Sequence, residues 1–229
     1  VFKYPKAGEK NANVSLHFYD INSDQTSIVS LPKTYIDFYI PRIKWTNDAD
    51  LLSVQFLNRH QNQLDLWLIN PVKVQANLVL SETDLAYVDV TDNLTFLQDN
   101  SFLWTSEKDG YNHLYHYSKN GKLKTQITKG DWEVTAYYGY NEFDNVIYYQ
   151  SVENGSINRD VYSVKLNGKR KKRLTTQEGT NDASFSADFT YFIKTFSSAN
   201  IPTKYTKNVI FLYKYYYFRL GFNFNVYLT

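Results

Sequence analysis

A strand-and-turn unit recurring at a nearly constant step limits what this chain can fold into. Leu114-Tyr115 has counterparts in Phe18-Tyr19, Leu66-Trp67 and Val161-Tyr162, at steps of 48, 48 and 47 residues. Two positions on come Ile21, Ile69, Tyr117 and Val164, and the turn Asn120-Gly121-Lys122 returns as Asn167-Gly168-Lys169. Ile127-Thr128 likewise returns as Leu174-Thr175. Around Tyr115 the residues alternate with the period of two of a strand. Asp109-Gly110 and Asn120-Gly121 supply the positive φ angles of two-residue hairpin turns. A period in the forties filled with short strands is the mark of a β-propeller, with about four strands per blade. Helical repeats of similar length would show apolar residues at i, i+3, i+4 and i+7, and no such run is sustained. The expected fold is all-β: a propeller segment of about four blades, each of four antiparallel strands.

In chain order, a polar loop over residues 1–12 leads to strands at Val14–Ile21 and Ser27–Leu31, the outer half of a blade. The next unit has strands near Arg42–Thr46, Leu51–Leu57, Leu64–Ile69 and Gln75–Leu80. A third unit covers Ala86–Thr128 and a fourth Glu133–Thr175. Ala183–Ser186 and Tyr191–Thr195 begin a fifth. The propeller portion is thus placed at residues 1–206. Lys207–Thr229 carry nine Phe or Tyr and no clear turn. This tail is either an irregular final strand pair or sequence foreign to the fold, as after a frameshift. Seventeen per cent aromatic residues suit packed sheet faces. The net charge of +2 is too small to imply nucleic acid or an anionic membrane. The longest apolar stretch, Val209–Tyr213, falls far short of the roughly 18 residues a membrane-spanning helix needs. With no cysteine, disulfides and cysteine-based metal sites are excluded. With no Met at position 1, the chain reads as a fragment or a processed product.

Several segments resemble the dipeptidyl peptidase IV branch of the prolyl oligopeptidase family. Tyr4-Pro5-Lys6-Ala7-Gly8 followed by Asn11 is similar to its YPKAG-x-x-N motif. Asn100-Ser101-Phe102 and Ser106-Glu107 through Asp109-Gly110-Tyr111 to His113 resemble its NSF…SE-x-x-GY-x-H hairpin. Lys129-Gly130-Asp131-Trp132-Glu133-Val134 resembles KG-x-WEV. Phe196-Ser197-Ser198-Ala199 and Pro202-Thr203, Tyr205-Thr206 resemble the approach to the end of the propeller. The resemblance implies a serine exopeptidase that releases N-terminal dipeptides with Pro or Ala second. It implies an eight-bladed propeller that controls access to an α/β-hydrolase domain. It further implies a homodimeric parent protein, periplasmic or secreted to the cell surface, acting on peptides. On this resemblance the chain begins after the blade carrying the glutamates that hold the substrate amine, and ends before the hydrolase domain. Tyr87, Asp89 and Asp92 lie about where the family places side chains near the substrate's second pocket. The same loop also reads as a blade's inner strand lining the central channel.

The chain lacks G-x-S-x-G, the strained turn that exposes a nucleophilic serine, so it carries no catalytic residues of its own. It also lacks both phosphate-cradling glycine motifs, and no cofactor is expected. His113 and His116, three apart on a strand, point to opposite faces and cannot chelate one metal. They read as packed or hydrogen-bonded strand histidines, and no metal site is expected. Glu107 and Asp109 read as solvated turn carboxylates. The run Lys169-Arg170-Lys171-Lys172-Arg173 reads as a solvated outer hairpin strand, whose lysines discourage edge pairing, rather than a nucleic-acid site. The alternative function is a stand-alone propeller-like scaffold that binds protein or peptide partners.

Overall fold

The computed structural model describes residues 8–210, and those residues contain strands, turns and loops but no helix. A two-stranded sheet pairs β1 (His17–Asp20) with β2 (Gln25–Ile28). The next sheet takes β3 (Phe38–Trp45), β4 (Leu52–Asn58), β5 (Gln63–Asn70) and β6 (Gln75–Thr83) in sequence order. The third holds β7 (Thr95–Phe96), β8 (Phe102–Ser106), β9 (His113–Tyr117) and β10 (Leu123–Gln126). The fourth holds β11 (Val134–Asn141), β12 (Val146–Ser151), β13 (Asp160–Lys165) and β14 (Lys172–Arg173). The last holds β15 (Thr180–Phe185), β16 (Tyr191–Ser198) and β17 (Ile201–Val209). Each full sheet is an antiparallel up-and-down meander, the unit from which propellers are built. The aligned pairs Leu66-Trp67, Leu114-Tyr115 and Val161-Tyr162 fall on β5, β9 and β13, the third strand of each four-stranded sheet, and Phe18-Tyr19 falls on β1 of the two-stranded one.

Two expectations are revised. The turn after β9 spans Ser118–Lys122 rather than two residues, closed by Ser118 N donating to Lys122 O at 2.8 Å. Its Gly121 still has the required positive φ of 77°. The second revision concerns the tail: Lys207–Val209 are the end of β17, with Val209 opposite Tyr191 and Lys207 opposite Ile193. Residues 211–229, the bulk of that tail, and Tyr4–Ala7 of the first motif lie outside the described residues. β17 itself was hidden because it is almost wholly exposed and opens on Ile201-Pro202, and Pro is admitted at the start of an edge strand.

The chain divides into two compact units, Val1–Phe102 with Tyr117–Lys122, and Leu103–His116 with Leu123–Thr229. In the first, a core of Val29, Leu52, Val54, Phe56, Trp67 and Ile69 forms because alternate residues of β4 and β5 face one side. Tyr35, Phe38, Phe56 and Trp67 meet edge to face there, with centroids 5.4–6.4 Å apart. The Tyr35 hydroxyl accepts from Trp67 Nε1 at 2.9 Å and donates to Asp65. Burial, reinforced by the Asp65 carboxylate, pushes the Tyr35 phenol well above its ordinary value.

In the second unit Val161, Ala183 and Phe192 are joined by Tyr138, Leu174, Phe185 and Ile210. Thr128 and Thr175, one repeat apart, do the same work. Each hydroxyl accepts the amide hydrogen that opens a third strand, Leu114 N and Val161 N, both at 2.9 Å. Each also meets the preceding side chain, His113 Nδ1 at 3.0 Å in one sheet and Asp160 Oδ1 at 3.0 Å in the other.

Candidate functional site

The segment between β6 and β7, residues 84–94, is loop throughout. Its start is fixed by an Asx turn, in which Asp84 Oδ1 accepts from Ala86 N at 2.7 Å and Tyr87 N at 3.3 Å. These bonds hold the Asp84 carboxyl below the usual carboxylate range. Backbone bonds from Asp84 N to Asn62 O and from Val88 N to Gln61 O tie it to the β4–β5 turn.

The second half of the loop is laid along β3 by a ladder of side chains. Arg42 grips Asp92 with two guanidinium nitrogens, Nη2 at 3.0 Å from Oδ2. Lys44 Nζ donates to Leu94 O at 2.6 Å, and Asn47 Nδ2 donates to Phe96 O at 3.1 Å. Gln55 Nε2, from β4, donates to Thr91 O at 3.1 Å. Arg42 and Lys44 reach the same way because residues two apart on a strand share a face. The Arg42 hydrogen bond, with its charge, holds the Asp92 carboxyl below its ordinary value, and Asp92 in turn raises the Arg42 guanidinium.

A pocket of about 140 Å³ opens between β3 and the loop, lined by Arg42, Lys44, Ser53, Gln55, Thr91 and Asp92 among others. Gln55 is buried, and its Oε1 has no hydrogen-bond partner among the described residues. An orphaned acceptor of this kind suits a small donor such as water or an amine.

The expected site residues separate into two groups. Tyr87 donates to Asp89 Oδ1 at 2.8 Å, so these two form one exposed pair. Asp92 faces Arg42 instead. Arg42, Lys44 and Gln55 were not singled out from the sequence, although the polar alternation of Arg42 and Lys44 within a strand was the available signal. The histidines stand as expected. His113 is fully buried between Thr128 Oγ1 and Gly130 O, edge-on to Trp132 at 4.9 Å, and His116 is also buried. Among the described residues no cluster of His, Asp or Glu could hold a metal ion.

These repeated four-stranded meanders place the chain in the β-propeller class, and comparison with known proteins supplies the family. Residues 1–203 match the family model described as the dipeptidyl peptidase IV (DPP IV) N-terminal region, and the chain belongs to that family. The crystal structure of Porphyromonas gingivalis dipeptidyl peptidase 4 superposes with a TM-score of 0.83 at 42% identity, over 91% of this chain and 29% of that one. A putative dipeptidyl aminopeptidase IV from Bacteroides ovatus, 24% identical with a TM-score of 0.75, shares the fold. Among curated proteins, the probable dipeptidyl-aminopeptidase B of Tuber melanosporum is 30% identical over 219 residues, 87% of this chain. The chain spans 24% of that relative's length. It is the propeller portion of a dipeptidyl peptidase IV-like protein.

Proposed function

We propose that this chain is the substrate-gating part of a serine exopeptidase that releases N-terminal Xaa-Pro or Xaa-Ala dipeptides. The hydrolase chemistry comes from a G-x-S-x-G domain that this sequence does not contain. In this reading the protein acts on peptides in the periplasm or at the cell surface, and its parent form is a homodimer. Tyr87, Asp89 and Asp92 face the substrate path. The observation that carries the reading is the ladder from Arg42, Lys44 and Asn47 to the 91–96 segment. It fixes an exposed polar loop to a rigid strand, as a specificity loop requires.

The test is a glycyl-prolyl chromogenic substrate. The purified 229-residue chain should give no turnover, whereas the longest reading frame that contains it should hydrolyse the substrate. In that longer protein Arg42→Ala, which releases Asp92 from the ladder, should raise KM several-fold with kcat little changed. Hydrolysis by the chain alone would sink the division of labour. An unchanged KM would remove the loop from the substrate path.

A further inference from the structure

The fold splits the basic run Lys169–Arg173 into two groups. Lys171 pairs with Glu153 and lies 5.3 Å from the centre of the Trp132 ring, and Arg173 pairs with Asp160 at 2.8 Å. Those two charges are answered within the protein. Lys169 and Arg170 are exposed and make no ion pair among the described residues. They line a cleft of about 700 Å³ in the second unit, together with Lys124 from β10 and Lys165 from the end of β13. No carboxylate lines it, its one aliphatic residue is Leu166, and the amides of Asn145 and Asn167 add neutral donors.

Backbone bonds shape the cleft in advance. Leu166 N donates to Asn145 O at 3.1 Å, which joins the β13–β14 turn to the β11–β12 turn. Gly168, at φ +75°, sits so close to the chain after β10 that a Cβ there would lie 3.1 Å from Ile127 O. Arg170 holds a left-handed φ of 56°, which costs an ordinary side chain roughly 1 kcal/mol or more. A solvated hairpin strand does not need four cations from three segments to converge. Like charges in a concavity repel one another and raise the local concentration of anions.

We propose that this cleft is a binding site for a compact polyanion bearing several phosphate or sulfate groups. With a single aliphatic wall it offers little to the side chains of a peptide. Its lysine, arginine and amide donors suit a ligand that is mostly anionic oxygen.

The test is calorimetric titration of the 229-residue chain at low salt with inorganic tripolyphosphate and, separately, sucrose octasulfate. Saturable one-to-one binding of either is expected, and which one binds distinguishes phosphate from sulfate. Lys169→Gln/Arg170→Gln, and independently Lys124→Gln, should weaken binding, the double variant roughly tenfold through two lost charge-assisted contacts. Lys33→Gln/Lys73→Gln, at exposed lysines outside the cleft with the same loss of charge, should weaken it less than about twofold. Three results would overturn the proposal: no saturable binding of either probe, an equal loss in the Lys33/Lys73 control, or a short single-stranded oligonucleotide that binds more tightly than both.

Discussion

Gly121 tests whether the Asn-Gly turn is a docking feature of the fold or only a reversal of the chain. Its φ is +77°, and a Cβ there would overlap the carbonyl oxygen of Val79 in β6 and lie 2.6 Å from the carbonyl carbon. Gly110 has φ +101° but open space around it. Alanine at Gly110 therefore carries only the left-handed strain, about 1–2 kcal/mol. At Gly121 it carries the same strain plus an overlap with backbone that no rotamer can relieve. To restore ordinary contacts with both the carbonyl carbon and the still closer oxygen the turn must retreat by more than about 1 Å, and forced shifts of that kind cost a further 1–3 kcal/mol or so. The expected difference between the variants is about 2 kcal/mol. With a urea slope near 2 kcal/mol/M, Gly121→Ala should unfold about 1 M earlier than Gly110→Ala. Asparagine, which tolerates the left-handed region, separates the two causes. Gly110→Asn should recover most of its loss, whereas Gly121→Asn should not. Midpoints for Gly121→Ala and Gly110→Ala within about 0.3 M of each other would refute the close approach to Val79 as the controlling term.

Other outcomes follow from buried polar groups. Asp160→Ala removes the partner of Arg173 and acceptors of Thr175 and Asn181 from a buried site, and should cost about 3 kcal/mol by chemical denaturation. Tyr35→Phe strips Trp67 Nε1 and Asp65 of a shared partner and should cost about 2 kcal/mol. Burial pushes the Tyr148 and Tyr162 phenols up to about 12, so the folded state binds these protons more tightly than the unfolded one. That stability is complete below about pH 10 and is lost as pH rises from there through the folded values, which an alkaline denaturation series would record. Asp92 has the opposite sign: its carboxyl is depressed, chiefly by the Arg42 hydrogen bond, so the contribution holds above its ordinary value and fades as pH falls below it. Its carboxyl carbon should titrate below 3.8 by NMR and return to the ordinary value in Arg42→Ala.

The repeat was legible because it rests on local rules. Alternation set the strands, and Asn-Gly set the turns. The pairs Leu66-Trp67, Leu114-Tyr115 and Val161-Tyr162 share one strand position because each is buried in its sheet, whereas Tyr19 of the first pair is exposed. What escaped the sequence depends on other segments. β17 is exposed along nearly its whole length, and Lys207–Val209 join it only because Tyr191–Ile193 of β16 stand opposite. Arg42 and Lys44 were visible as polar residues in a strand. Their role needs the loop 50 residues later to be laid beside them, and no periodicity encodes that placement.

The same logic explains why one repeat position can hold Asp65, His113 and Asp160, residues that look unrelated in the sequence. All three are buried at the opening of the third strand of their sheets. A buried polar group must find a partner, but the repeat does not dictate which one. Asp65 takes the Tyr35 hydroxyl and Gln63, His113 takes Thr128 and the Gly130 carbonyl, and Asp160 takes Thr175, Asn181 and Arg173. The Thr128 and Thr175 hydroxyls are fixed by their bonds to the strand amides, so the neighbouring position is free to change provided that its side chain can meet a hydroxyl. Identity at this position is therefore negotiable, whereas satisfaction is not. His113 thus reads as a structural hydrogen-bonding residue, interchangeable in kind with an aspartate one repeat later.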